Sequence, residues 1–252
     1  MKVIDMHAHI HLLTPDVEVD KRRIMRTIEK FNIEEVHVSA LSAHKPSEDE
    51  VTLLNKDTAQ FVKEEPGRIK GAVYISPEHK NAVEVLKRGI EEQDMSSAKI
   101  WVSEKCDSPA VNPIAEKLIE YNLPLLIHSF KKSTRQVANE STAVEVRNLA
   151  LRYPELKIIM AHVGGNCYHG VPLVRDLKNV WVDISGSPNR SNEVEYTVEN
   201  LGAARVLFGT DMPGASFIVL CGKVLESGIT DEEKEKVFYK NALQVYDKNF
   251  KI

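Results

Sequence analysis

The sequence predicts a single α/β domain folded as a parallel (β/α)8 barrel, and three observations predict it. Eight short apolar segments alternate with about eight amphipathic ones within 252 residues, the pattern and the length of eight βα units. His and Asp side chains close several of the apolar segments, as expected where a barrel gathers its functional groups at the carboxyl ends of its strands. An open doubly wound sheet would instead carry a Gly-rich phosphate-binding turn after its first strand, and this chain has none there.

Residues 3–11 read as the first strand. Alternate side chains of a strand share a face, so His7, His9 and His11 point one way, about 7 Å apart in succession, while Met6, Ala8 and Ile10 point the other. Asp5 falls on the His face one layer deeper, which suits a supporting partner better than a ligand, and His11 falls in the loop beyond. Asp20 is placed to cap a helix whose Ile24, Met25, Ile28 and Phe31 repeat at helical spacing. Strand two covers 36–40. Ser47 and Glu50 form a capping box for a helix with Val51, Leu54, Thr58, Phe61 and Val62 inward. Strand three covers 69–75, and Ser76-Pro77 opens a helix carrying Ala82, Val83, Leu86 and Ile90.

Strand four covers 98–102, and Asn112-Pro113 opens a helix to about Tyr121. Residues 123–128 are a continuous apolar run ending in His128, as in a parallel strand buried on both faces. After a helix over about 142–151, residues 156–162 repeat that form and end in His162. Strand seven covers 180–185 and contains Asp183; strand eight covers 205–211 and ends in Asp211. A second capping box, Thr230 with Glu233, starts a closing helix with Val237, Phe238, Ala242, Leu243 and Tyr246 inward.

The composition excludes several function classes. A net charge of -4 and a pI near 6.2 give no excess of cations for gripping a polyanion, so neither nucleic acid nor an acidic membrane is an expected partner. Cys106, Cys167 and Cys221 are odd in number and widely spaced, which fits neither a disulfide framework nor a thiolate zinc site. A strand from Lys2 leaves no room for a signal peptide, and no apolar run reaches the length of a membrane span. The expectation is a cytoplasmic enzyme acting on a small molecule, with homo-oligomerisation left open.

Imidazole is the commonest protein ligand for zinc and its neighbours, and two on one rigid strand supply half of a tetrahedral site. In a closed barrel strand eight neighbours strand one, so Asp211 approaches His7 and His9, with His128 and His162 facing them across the mouth. That convergence predicts a divalent metal: zinc by preference, manganese or iron as alternatives, and one ion or two.

Residues 4–10, 123–129, 158–165, 206–213 and 236–242 together resemble the amidohydrolase superfamily, most closely its amidohydrolase 2 branch of metal-dependent hydrolases and related decarboxylases. The likeness runs from about residue 2 to 247 and implies a TIM barrel. It also implies that His7, His9, His128 and Asp211 surround a metal, with His162 as a second-metal ligand or a catalytic group. Some superfamily members carboxylate a lysine on strand four to bridge two metals. Lys99 matches that position and is a further candidate ligand, although an unmodified lysine that pairs with an acid or contacts substrate is the reading preferred for it. Asp183 reads as a buried partner of a ligand. His44, Lys131, Lys132, His169 and Arg190 lie on loops where substrate contacts arise.

The chemistry expected is hydrolysis of a small amide, cyclic amide, lactone or ester by metal-activated water, with Asp211 shuttling the proton and His162 polarising the carbonyl. Non-oxidative decarboxylation is the alternative; the short passage from His11 to the first helix counts against it, because the related decarboxylases generally carry an insertion there. A nuclease similar to the TatD proteins ranks third, since their strand-four glutamate is replaced by the segment around Lys99.

Overall fold

The computed structural model describes residues 2–252 apart from Pro15, Ser42 and 187–189. Eight parallel strands follow one another around the sheet in chain order: β1 (Ile4–Ile10), β2 (Glu35–Ala40), β3 (Ile69–Ile75), β4 (Met95–Ile100), β5 (Leu125–Ile127), β6 (Ile158–Met160), β7 (Val180–Asp183) and β8 (Val206–Leu207). Backbone bonds from Met6 N to Phe208 O (2.9 Å), His9 N to Met212 O (2.8 Å) and Asp211 N to His7 O (2.7 Å) bring the last strand onto the first. The barrel is therefore closed as a TIM barrel, and the mouth at the strands' carboxyl ends is where the His and Asp residues converge.

Helices α1 (Val17–Phe31), α2 (Glu48–Glu64), α3 (Ala82–Glu91), α4 (Asn112–Tyr121), α5 (Ala143–Arg152), α6 (Cys167–Val174), α7 (Glu193–Leu201), α8 (Phe217–Leu225), α9 (Asp231–Glu235) and α10 (Asn241–Tyr246) make up the outer layer. α9 and α10 run together through a π-type turn at Lys236–Lys240 and close the far end of the barrel. Outward strand residues such as Val36, Val38 and Ala40 pack beneath the helices in the main apolar core. Ile4, Met6, Leu126, Ile159, Trp181 and Leu207 fill the lower barrel against Ala242 and Val245. No described helix is long and apolar enough to cross a membrane.

Four local expectations are corrected. β1 and β2 slip register between Asp5 and Ala8, so an extra residue enters β1. Met6 accordingly joins Ile4 in the lower interior, and Asp5 does not continue the His face: it turns to the segment after β8, where it accepts from Thr210 N (3.0 Å) and Thr210 Oγ1 (2.6 Å). The cap of α1 is Asp16, accepting from Glu18 N, whereas Asp20 is buried within the helix and holds the loop after β1 through Leu12 N at 3.0 Å. Both acids suit a helix start, and only Asp16 has the extended backbone a cap needs. Ser76-Pro77 begins a turn, and α3 starts later, at Ala82. β4 occupies 95–100 rather than 98–102, which leaves Trp101 at the mouth.

Candidate metal centre

His7 lies within the slip in β1 and His9 beyond it, both on the side of the strand that faces the barrel axis, and both are buried. Each ring has one nitrogen tied outward. His7 Nδ1 faces Asp183 Oδ2 at 2.9 Å, and His9 Nδ1 faces the Ser39 carbonyl at 3.1 Å. An acceptor on Nδ1 keeps the hydrogen there and leaves Nε2 bare. The two Nε2 atoms then face each other at 2.9 Å, with Asp211 Oδ1 at 3.1 Å from that of His9 and 3.8 Å from that of His7.

Strand eight is expected to run to Asp211, but β8 ends at Leu207, and Asp211 lies beyond it in the left-handed region at φ 67, a conformation that aspartate tolerates better than most residues. Burial works against its charge, but the His9 ring that faces it, followed by the His162 and His7 rings, holds its carboxyl far below the usual carboxylate range. Asp183 is ionised for similar reasons. Against its burial it has the His7 ring, the His162 ring and the Ser185 hydroxyl, and it also accepts from His162 N at 3.0 Å.

His128 and His162 form the opposite wall, with His128 Nδ1 at 3.2 Å from His162 Nε2. His128 joins the group through His162 and lies outside the tight His7–His9–Asp211 cluster. Burial pushes His162 down to about 4 and His7 down to about 3, so both are neutral at neutral pH. A second cluster, His7–His162–Asp183, is already bridged by Ser185, whose Oγ lies 2.9 Å from both rings' Nδ1 atoms.

The donor set fits a divalent cation. Two imidazole nitrogens and an ionised carboxylate within 2.9–3.8 Å of one another need a positive charge among them, either a shared proton or a metal cation. Around a four-coordinate ion bound at about 2.0–2.1 Å, ligand atoms stand about 3.3 Å apart, which these separations bracket. The Lys99 ammonium supplies part of that charge: its Nζ lies 3.0 Å from His7 Nε2, buried inside β4. Burial pulls it down to about 8 against the countering charges of Asp183 and Asp211; its hydrogen-bonding partner is His7, so of the two arms of the unmodified-lysine reading it is the pairing with an acid that the structure does not show.

The sequence profile of the amidohydrolase family, Amidohydro_2, matches residues 4–248. The chain belongs to this family. Solved structures share the barrel fold at low identity. A 2,6-dihydroxybenzoate decarboxylase from Rhizobium superposes with a TM-score of 0.78 at 16% identity, covering 98% of each chain. A dihydroxybenzoic acid decarboxylase from Polaromonas sp. JS666, bound to manganese and the inhibitor 2-nitroresorcinol, gives 0.80 at 18%, covering 98% of this chain and 97% of its own. A 4-oxalomesaconate hydratase from Rhodopseudomonas palustris gives 0.72 at 17%, covering 98% and 96%. No curated protein matches the sequence.

The remaining candidates of this amidohydrolase chain scatter. His11 leaves the site and pairs with Asp57 Oδ2 at 2.8 Å. His44 packs edge-on against Trp101, 5.1 Å between ring centroids. Lys131, Lys132, His169 and Arg190 line a surface depression beside Phe130 and Gly165. Three residues not anticipated from sequence support the centre: Ser39 beneath His9, Ser185 between His7 and His162, and Glu140, whose Oε1 lies 3.0 Å from His128 Nε2. Ser185, two residues past Asp183 at the end of β7, falls in the segment expected for strand seven and so had a signal; Glu140, in a loop twelve residues beyond His128, had none.

Proposed function

We propose that this amidohydrolase-family protein holds a divalent cation, zinc by preference and manganese next, between His7, His9 and Asp211, with His128 completing the set, and that it hydrolyses a small amide, cyclic amide, lactone or ester. The observation that carries the reading is the mutual approach of His7 Nε2, His9 Nε2 and Asp211 Oδ1 within 2.9–3.8 Å. When bound, the cation would supply an activated water and a Lewis acid for the carbonyl.

The chain's own groups move the proton. Asp211 has 27% of its side chain open to the mouth and is ionised, so it accepts a proton from the attacking water as the new C–O bond forms. It returns that proton to the leaving nitrogen or oxygen as the old bond breaks. His162, neutral through burial, has its Nδ1 against the Ser185 carbonyl at 3.2 Å, so its bare Nε2 would polarise the substrate carbonyl through a second cation and not by donating to it. Asp183 fixes His7 and the His162 backbone, and so keeps both walls in place.

A second reading, non-oxidative decarboxylation, is favoured by the buried Lys99 ammonium, which suits a substrate carboxylate, and by the reactions that the Rhizobium and Polaromonas structures' names give. There Asp211 or His162 would protonate carbon as carbon dioxide leaves. The alignments cover 97–98% of those two chains, which weakens the argument from the short loop after β1. Elemental analysis after mild purification should find roughly one to two equivalents of zinc, manganese or iron for a site of this kind. Protein that neither carries nor takes up metal refutes the centre. Lactone, amide and ester turnover supports hydrolysis; carbon dioxide release from aromatic acids without it replaces the first reading with the second.

A further inference from the structure

We infer that Glu140 is a positioning residue that fixes the tautomer of His128 and thereby sets the affinity of the metal centre. The inference rests on the proposal that His128 serves the metal.

Glu140 is buried, an unfavourable place for a carboxylate unless its oxygens are satisfied. Here both are. Oε1 faces His128 Nε2 at 3.0 Å, and Oε2 accepts from Gln136 Nε2 at 2.7 Å and from the Lys132 ammonium at 2.9 Å. A carboxylate only accepts, so the nitrogen of His128 that faces it carries the hydrogen. The other nitrogen, Nδ1, is left bare and turned to the centre, 3.2 Å from His162 Nε2.

The loop that carries Glu140 is braced. Phe130 N donates to Ser141 O at 2.9 Å and closes its stem, Gln136 donates to Phe130 O at 2.8 Å, and Asn139 reaches Ser103 O at 2.8 Å. The Phe130 ring lies parallel to His128 at 6.2 Å between centroids. Anchoring the loop needs only Oε2, whereas Oε1 is committed to the imidazole. His7 and His9 are oriented by the same device, through Asp183 and the Ser39 carbonyl, so Glu140 gives the third imidazole what the first two have.

Glu140→Gln separates the two roles. An amide has one acceptor oxygen, which Lys132 and Gln136 already claim, so its NH2 turns to His128 and demands a bare Nε2. The expected result in metal-free, 15N-labelled protein is a reversal of the His128 tautomer in imidazole 1H–15N spectra. Competition against a chromophoric chelator should show zinc bound about 10–100-fold more weakly, with the circular dichroism of the wild type retained. Gln136→Ala, which loosens the loop and leaves Oε1 in place, should keep the tautomer and most of the affinity. An unchanged tautomer together with unchanged zinc affinity in Glu140→Gln overturns the inference while the metal proposal stands. A wild-type protein that takes up no zinc refutes the metal proposal instead, and the tautomer measurement still decides the Glu140–His128 link. If Glu140→Gln does not fold, Glu140→Asp, too short to reach the ring, carries the same comparison.

Discussion

The proposed reaction asks Asp211 to serve as anchor and as base, and a single substitution separates the two demands. Its backbone N–H is tied to His7 O at 2.7 Å and its Oδ1 faces both imidazoles, so the side chain is placed whatever its charge. Asp211→Asn keeps an oxygen for the cation but cannot take a proton. Bound metal should remain near the wild-type equivalent while turnover falls about 10²–10⁴-fold, measured by elemental analysis and kcat on the same preparation. Wild-type turnover in the Asn variant removes the shuttle role. Residues such as Asp211, His128 and His162 were readable from the chain because each follows an apolar run that leads to the barrel mouth, although the strands themselves stop one to four residues earlier. Glu140 and Ser39 were not, because what makes them matter is a neighbour that only the closed barrel supplies.

Strand and helix packing bring a different kind of constraint. The slip between Asp5 and Ala8 is invisible to a period-two reading, yet it turns Asp5 from the barrel interior to Thr210 while leaving His7 and His9 inward. Asp16 and Asp20 likewise share the chemistry of a cap, and the backbone conformation alone tells them apart. Glycines in helices make the packing testable. A Cβ on Gly89 of α3 would lie 2.3 Å from Val73 Cγ2 of β3, whereas one on Gly222 of α8 would meet nothing within 4 Å. Gly89→Ala should therefore destabilise by about 1–3 kcal/mol through overpacking. Gly222→Ala should stabilise by up to about 1 kcal/mol, since alanine favours the helix. Urea unfolding checks both. A Gly89 variant as stable as wild type would mean that α3 does not seat on β3 as described.

Closure of the barrel buries several ionisable groups at once, which makes the stability of the whole molecule depend on pH. Burial holds His7 at about 3 and His162 at about 4, and it lowers His128 as well. The unfolded chain takes protons on these imidazoles near pH 6.5, so between 6.5 and 4 it binds more protons than the folded protein, and stability falls as pH falls. Asp5 opposes them. Burial raises it from 3.8 to about 7 despite its bonds from Thr210 and His7, so the folded state keeps a proton that the unfolded chain has lost, and its contribution grows as pH falls. Three imidazoles against one carboxylate leave a net loss of stability on acidification. Urea unfolding of metal-free protein at pH 7, 6 and 5, with chelator present, should show that loss. His162→Gln should reduce the slope by about 1.4 kcal/mol per pH unit, the weight of one proton. If the variant keeps the wild-type slope, His162 already carries its proton in the folded barrel, and it then faces His128 as a cation and not as the neutral partner that the proposed chemistry needs.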